Sequence, residues 1–142
     1  MTDTNLSDPI LGELRPIDEF SHGRAVRVGG REVQLVIETG EGLTPEALAQ
    51  ARRLVGAPDE FAERARQLAS ETMRELKNET WSDDDPPLSA AQLAHRLSLE
   101  ACEIAADGVA TLYFDDGGLF GGHSVVVYID PGGDFVDAKL AG

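Results

Sequence analysis

Two adjacent acids, four glycines and a histidine stand within the eleven residues from Tyr113 to His123, the most unusual stretch of the chain. Carboxylates and an imidazole are ligands of divalent metals, and the same groups serve as acid and base in hydrolytic enzymes. Asp115, Asp116 and His123 are therefore the candidate metal-binding or catalytic residues. Adjacent residues of a strand point to opposite faces, so both carboxylates reach one ion only where the backbone bends.

The same stretch also has a structural interpretation, which we favour. The acids would solvate the end of a strand, the glycines would permit an irregular connection, and Phe120 would pack into the core. His123 would then begin the next strand on its apolar side. We expect the His123 ring to be at least half buried and hydrogen-bonded to Asp115 or Asp116, without a catalytic role.

Other patterns for enzyme chemistry are missing from the sequence. The glycine-rich stretch 117–122 neither opens a predicted helix nor precedes a Lys-Ser/Thr pair, which argues against a phosphate loop. Because there is no His-Glu-x-x-His motif and no pair of closely spaced cysteines, we predict no structural zinc site. We also expect no other metal and no cofactor. Cys102 lies in a predicted strand as a small buried residue, His22 in a loop, and His95 at the solvated edge of a short helix. Trp81, the only tryptophan, is predicted to seal a helix end, with a binding anchor as the alternative.

The charge balance excludes several classes of partner. The chain has 26 acidic and 12 basic residues, a net charge of −14, and residues 79–142 hold 12 of the acids but only two of the bases. This charge argues against nucleic acid and against an anionic membrane surface, and it favours a protein partner with a basic surface. No apolar run reaches the roughly 18 residues of a membrane span. A single cysteine and the absence of a visible secretory signal predict a cytoplasmic protein.

The spacing of apolar residues, together with turn and capping residues, predicts one domain over residues 10–142, after a flexible tail over residues 1–9. Apolar alternation on both sides of Gly29-Gly30 predicts an N-terminal hairpin. Capping residues Thr44 and Ser89 open the first and third of three helices, which are predicted near 45–55, 59–77 and 89–98. Four strands then follow in hairpin succession, at 99–105, 109–114, 123–129 and 135–140. This order predicts an α+β fold: an antiparallel sheet of N-terminal hairpin strands and four C-terminal strands, with three helices between them.

Several short runs carry a family resemblance. They are Asn78 to Trp81 after the long helix, Leu97 to Glu100, Leu112 to Gly117, Leu119-Phe120 with the Gly122-His123 pair, and the ending Asp137 to Gly142. With them the chain resembles the small bacterial proteins grouped as domain of unknown function 2262. The likeness covers nearly the whole chain, although Gly121 stands where the family tends to have an aromatic residue. It implies a whole-domain family without an assigned reaction, and it supplies no catalytic residue.

Three functions follow as hypotheses. We favour a non-enzymatic interaction domain, regulatory or immunity-like, that binds a protein with a basic surface. The alternative is a metal-dependent or hydrolytic enzyme that uses Asp115, Asp116 and His123. The third is capture of a small ligand in an apolar pocket under the alanine-rich face of the second helix, although no set of polar groups specifies such a ligand.

Overall fold

The computed structural model describes residues 6–80, 89–117 and 124–141. Within these residues it contains eight strands and three helices. The strands are β1 (Leu6–Asp8), β2 (Gly12–Asp18), β3 (Ser21–Val28), β4 (Arg31–Glu38), β5 (Ser98–Ile104), β6 (Ala110–Asp115), β7 (Ser124–Ile129) and β8 (Phe135–Ala141). The helices are α1 (Pro45–Gly56), α2 (Pro58–Thr80) and α3 (Ala90–Arg96), and they all lie between β4 and β5.

All eight strands form one sheet in chain order, from β1 at one edge to β8 at the other. The α+β class is confirmed, but the prediction of an antiparallel sheet is wrong at one pair. β4 and β5 run parallel, with Leu35 beside Cys102, whereas every other neighbouring pair is antiparallel. The reason is the connection: the helical crossover returns the chain to the end of the sheet where β4 began, while short hairpin links reverse the direction elsewhere.

The β3–β4 hairpin forms as its sequence predicts. Val26 pairs with Val33, and the strands are joined through Gly29 and Gly30. Both glycines have positive φ angles, 58° and 81°, the conformation that a two-residue type I′ turn requires. A residue with a Cβ would be strained at either position, so the glycine pair sets the register of this hairpin.

The N-terminal edge of the sheet falls in the part of the chain that the sequence predicts as a flexible tail. β1 lies within residues 1–9 and pairs with β2, with Leu6 opposite Leu14. The Asp8 carboxylate accepts two backbone N–H groups of the turn after β1 and forms a salt bridge with Arg52 of α1 at 2.6 Å. These bonds connect a polar segment to the helix layer, which hydrophobic patterning does not reveal.

The helix starts agree with the capping signals. The Thr44 hydroxyl accepts the N–H of Ala47 at the start of α1. At the start of α3, the Ser89 hydroxyl accepts the N–H of Gln92, and the Gln92 side chain accepts the N–H of Ser89, which completes a capping box. The second helix begins one residue earlier and ends three residues later than the predicted span 59–77.

One face of the sheet and the helices enclose the hydrophobic core. A row of buried residues crosses β4 to β8 at the same height: Leu35, Cys102, Leu112, Val127 and Ala138. They share one apolar cluster with the buried alanine-rich side of α2, which comprises Ala62, Ala65, Ala69 and Met73. Small side chains on the helix let it approach the sheet closely. The helices therefore bury this face, and the alternation of side chains along each strand sends the other residues to the opposite face.

Candidate functional site

The two acids of the predicted cluster lie in different environments at the end of β6. Asp115 is exposed and accepts the N–H of Gly117 at 3.1 Å, whereas Asp116 is only 1% exposed. Adjacent strand residues diverge in this way unless the backbone bends. Among the described residues, no three His, Cys, Asp or Glu side chains group closely enough to hold a metal ion.

The remaining members of that cluster lie outside the described residues. These are Phe120, His123 and Trp81. The hydrogen bond between His123 and Asp115 or Asp116 therefore stays a prediction, as do the core position of Phe120 and the role of Trp81. The strand that follows His123 has the predicted apolar side, because Val125, Val127 and Ile129 are all fully buried.

The other histidines and the cysteine occupy structural positions. The prediction of a loop at His22 is wrong, because His22 belongs to β3 and pairs with Ile37 of β4. Its ring is buried, and its Nδ1 atom lies 2.6 Å from the Thr39 hydroxyl oxygen. His95 is exposed on α3, as predicted. Cys102 is 1% exposed, and burial raises the pKa of its thiol to about 12, so the thiolate hardly forms near neutral pH.

Strand register defines the side of the sheet that points away from the helices, here called the open face. One row across it runs from β2 to β8 and consists of Arg15, Gly23, Val36, Glu103, Thr111, Tyr128 and Asp137. The next row runs from β3 to β8 and consists of Ala25, Gln34, Ala101, Tyr113, Val126 and Lys139. None of these side chains belongs to the core cluster.

Two large apolar side chains are exposed beside the open face. Ile17 is 47% exposed and Phe20 is 65% exposed. Ile17 packs onto Gly23, where a Cβ would stand 2.5 Å from its Cδ1 atom and 2.3 Å from the Leu35 carbonyl oxygen. Phe20 lies against Gly40 in the connection after β4. Each of these side chains lines a groove, so both are candidate contacts for another molecule.

Two cavities lie on the open face, one lined in part by Ile17 and the other lined in part by Phe20. The cavity that we call the acidic groove has a volume of about 330 Å³ and is lined chiefly by Asp18, Phe20, Val36, Glu38, Glu103 and Thr111. The cavity that we call the arginine groove has a volume of about 700 Å³ and is lined chiefly by Glu13, Arg15, Ile17, Gly23, Arg24 and Gln34. Sequence reasoning missed both, because each combines residues from strands that only the sheet register brings together.

Two tyrosines lie next to residues that line the acidic groove: Tyr113 contacts Glu103, and Tyr128 is the strand partner of Thr111. The Tyr113 hydroxyl donates a hydrogen bond to the Glu103 carboxylate at 3.3 Å. Burial, and then the negative charge of Glu103, raise the pKa of Tyr113 above its usual value. Lys139 places its ammonium group 5.0 Å from the centre of the Tyr128 ring, a cation–π distance. These contacts hold both tyrosines against the sheet.

The sheet edges are less suited to binding than the open face. An edge strand offers free backbone groups to another strand, and proteins limit this by shortening, bulging or charging the edge. β1 has only three residues, and the β7–β8 ladder shifts its register after Tyr128. Lys139 places a positive charge in β8. A partner therefore finds more accessible surface on the open face.

The fold defines a small α+β domain with one face of its sheet covered by helices and the other face open. The model of the family described as "Uncharacterized protein conserved in bacteria (DUF2262)" matches residues 8–140. The chain therefore belongs to this family, which confirms the resemblance found in its sequence. The comparisons with curated proteins and with solved structures give no match. Among the described helices, none has the length and apolarity that a membrane crossing requires.

Proposed function

We propose that this domain is a non-enzymatic protein-interaction module, regulatory or immunity-like, which binds a partner with a basic surface through the open face. The observation that carries the proposal is the coincidence on this face of the exposed side chains of Ile17 and Phe20 with the carboxylates of the acidic groove. Apolar contact supplies affinity, while the surrounding charges select the partner and speed its approach.

The distribution of charge supports a basic partner. The three helices together carry seven acidic and seven basic side chains, so that layer is formally neutral. Residues 98–142, which contain β5 to β8, carry eight acidic side chains and a single basic one, Lys139. A negative field on one part of the surface attracts a positive partner in a salt-dependent way.

The alternative of an enzyme at Asp115, Asp116 and His123 has less support. Asp115 is exposed and Asp116 is buried, so the two carboxylates do not share one solvent-accessible site. We therefore place the function on the open face, and we place the protein in the cytoplasm, where the single cysteine Cys102 needs no partner.

Cross-linking in a bacterial lysate tests the proposal. Wild-type protein is compared with a Phe20→Ser, Glu103→Lys double variant and with Val136→Ser, a matched control at another exposed apolar residue. We expect wild type and control to cross-link one basic protein through open-face residues, with a yield that falls as salt rises. The double variant should lose this product. Equal cross-linking by all three proteins, or cross-links confined to the helices, would contradict the proposal.

A further inference from the structure

The two grooves on the open face lie along the same pair of strands. The floor of the arginine groove includes Ala25 on β3, and the acidic groove includes Ser21, four residues earlier on that strand. At about 3.3 Å per residue, these positions are separated by about 13 Å. Ile17 lies between them over Gly23. The half-exposed Ile17 side chain thus lines the arginine groove and covers the stretch of β3 that separates it from the acidic groove.

A divergence of strands opens the arginine groove. β2 pairs with β3 only at Arg15, Pro16 and Asp18, while the first residues of β2 pair with β1 instead. Arg24, which is the register partner of the core residue Leu35, also lines this groove. Its Nη1 group donates to the Leu11 carbonyl and its Nε group donates to the Ala25 carbonyl, so the guanidinium is fixed before a ligand arrives.

The grooves differ in charge. Arg15 and Arg24 line the first, with Glu13 also among its residues, whereas Asp18, Glu38 and Glu103 line the second. Asp18 accepts the N–H of Phe20 and the hydroxyl of Ser21, and these bonds stabilise its ionised form. An occupant that spans both grooves is therefore complementary when its own ends carry opposite charges.

We propose that the open face binds an extended segment of a partner protein with a charge of each sign. A Lys or Arg side chain lies in the acidic groove and a carboxylate lies in the arginine groove, and apolar side chains between them contact Ile17 and Phe20. The 13 Å separation corresponds to about four residues of extended chain. This inference rests on the proposed function and specifies the chemistry of the partner. A second copy of this chain is a poor occupant, because two molecules of charge −14 repel each other.

A displayed library of random peptides tests the inference without knowledge of the natural partner. Selection on the wild-type protein should enrich peptides with a basic and an acidic residue about four positions apart and an apolar residue between them. Peptides selected on Glu103→Lys should no longer be enriched in the basic residue but should keep the acidic one. Peptides selected on Arg15→Glu should no longer be enriched in the acidic residue but should keep the basic one. Val136 lies on the edge strand β8 and lines neither groove. Val136→Ser therefore serves as the control and should keep the wild-type motif.

A synthetic peptide with the enriched motif then gives the magnitude. We expect each charge reversal to weaken its binding at least about tenfold, and reversal of the facing peptide charge to restore most of the loss. Arg15 and Glu103 are exposed, so we expect both variants to fold, and circular dichroism checks this.

The outcomes separate this inference from the proposed function. Peptides that are enriched only in basic residues would overturn the two-charge segment and leave the basic partner of the proposed function intact. A failure to enrich any motif, or a motif that both variants keep, would also overturn the inference. In that case, cross-linking of a whole basic protein through the open face would still support the proposed function.

Discussion

The two faces of the sheet use the same strands for different purposes. Along β6, Leu112 and Phe114 point into the core and are at most 1% exposed, while Thr111 and Tyr113, which alternate with them, lie on the open face and are partly exposed. Burial of the first pair favours folding in proportion to the apolar area removed from water. On the open face, Val126 is also only 1% exposed, but side chains such as Thr111 and Tyr113 keep part of their surface accessible and are available to bind another molecule.

The largest contrast between the faces is expected from substitutions on this one strand. Phe114 is fully buried, so Phe114→Ala leaves a cavity and should lower the free energy of unfolding by about 3–5 kcal/mol. Thr111→Ala, on the open face of the same strand, should change it by less than about 1 kcal/mol. Urea unfolding followed by circular dichroism measures both. Equal losses would show that the open face is packed as tightly as the core.

The next effect concerns a buried polar group on the helix side. Gln50 is fully buried in α1, and its amide donates to the carbonyl groups of Gly108 at 3.0 Å and Asp130 at 2.6 Å. Its own oxygen accepts a bond from Arg53 at 2.6 Å. Gln50→Leu should therefore cost about 2–3 kcal/mol, because these groups are left without their partner.

Gln67→Leu provides the control for this change, since Gln67 is exposed on α2. It replaces the same side chain without uncovering a buried carbonyl group, and its unfolding free energy should stay within about 0.5 kcal/mol of wild type. A Gln50→Leu protein as stable as Gln67→Leu would mean that water satisfies the carbonyl groups of the two turns.

The sequence predictions are correct where a feature depends on residues close together in the sequence, and they fail where it depends on residues far apart. The Ser89 capping box and the Gly29-Gly30 turn depend on residues within a few positions, and both are found as predicted. The parallel pairing of β4 and β5 depends on where a crossover of three helices returns the chain, which no local pattern encodes. The buried position of Gln50 was missed for a similar reason, since its partners lie 58 and 80 residues away.

The candidate site shows the same limit. The sequence singled out Asp115 and Asp116 because unusual residues stand close together there. The grooves of the open face instead combine single residues from several strands, such as Phe20, Glu38 and Glu103. Their proximity requires the register of the whole sheet, and a single short motif carries no information about it.

A smaller effect is expected at the edge hairpin. The hydrogen bond from Arg52 lowers the pKa of Asp8 to about 2 from its usual 3.8. A lowered pKa in the folded state means that this carboxylate stabilises the protein fully above about pH 4, and that its contribution disappears as the pH falls toward 2. Asp8→Asn should therefore flatten the pH dependence of the urea midpoint in this window. Glu71→Gln, at an exposed position of α2, should keep the wild-type slope.

The smallest expected effect lies on the open face and reports on the charge of the acidic groove. Burial and the nearby Glu103 carboxylate raise the pKa of Tyr113, so its phenol should ionise above the usual pH in a titration of tyrosinate absorbance. Glu103→Gln should lower this pKa, because it removes the negative charge that opposes ionisation, and Tyr113→Phe should remove the step altogether. The hydrogen bond is long and exposed, so neither change should alter the unfolding free energy by more than about 1 kcal/mol. A titration that Glu103→Gln leaves unchanged would mean that the carboxylate does not act on Tyr113. The Glu103 carboxylate would then not be held beside Tyr113 at the acidic groove, and the functional contrast between the two faces would weaken.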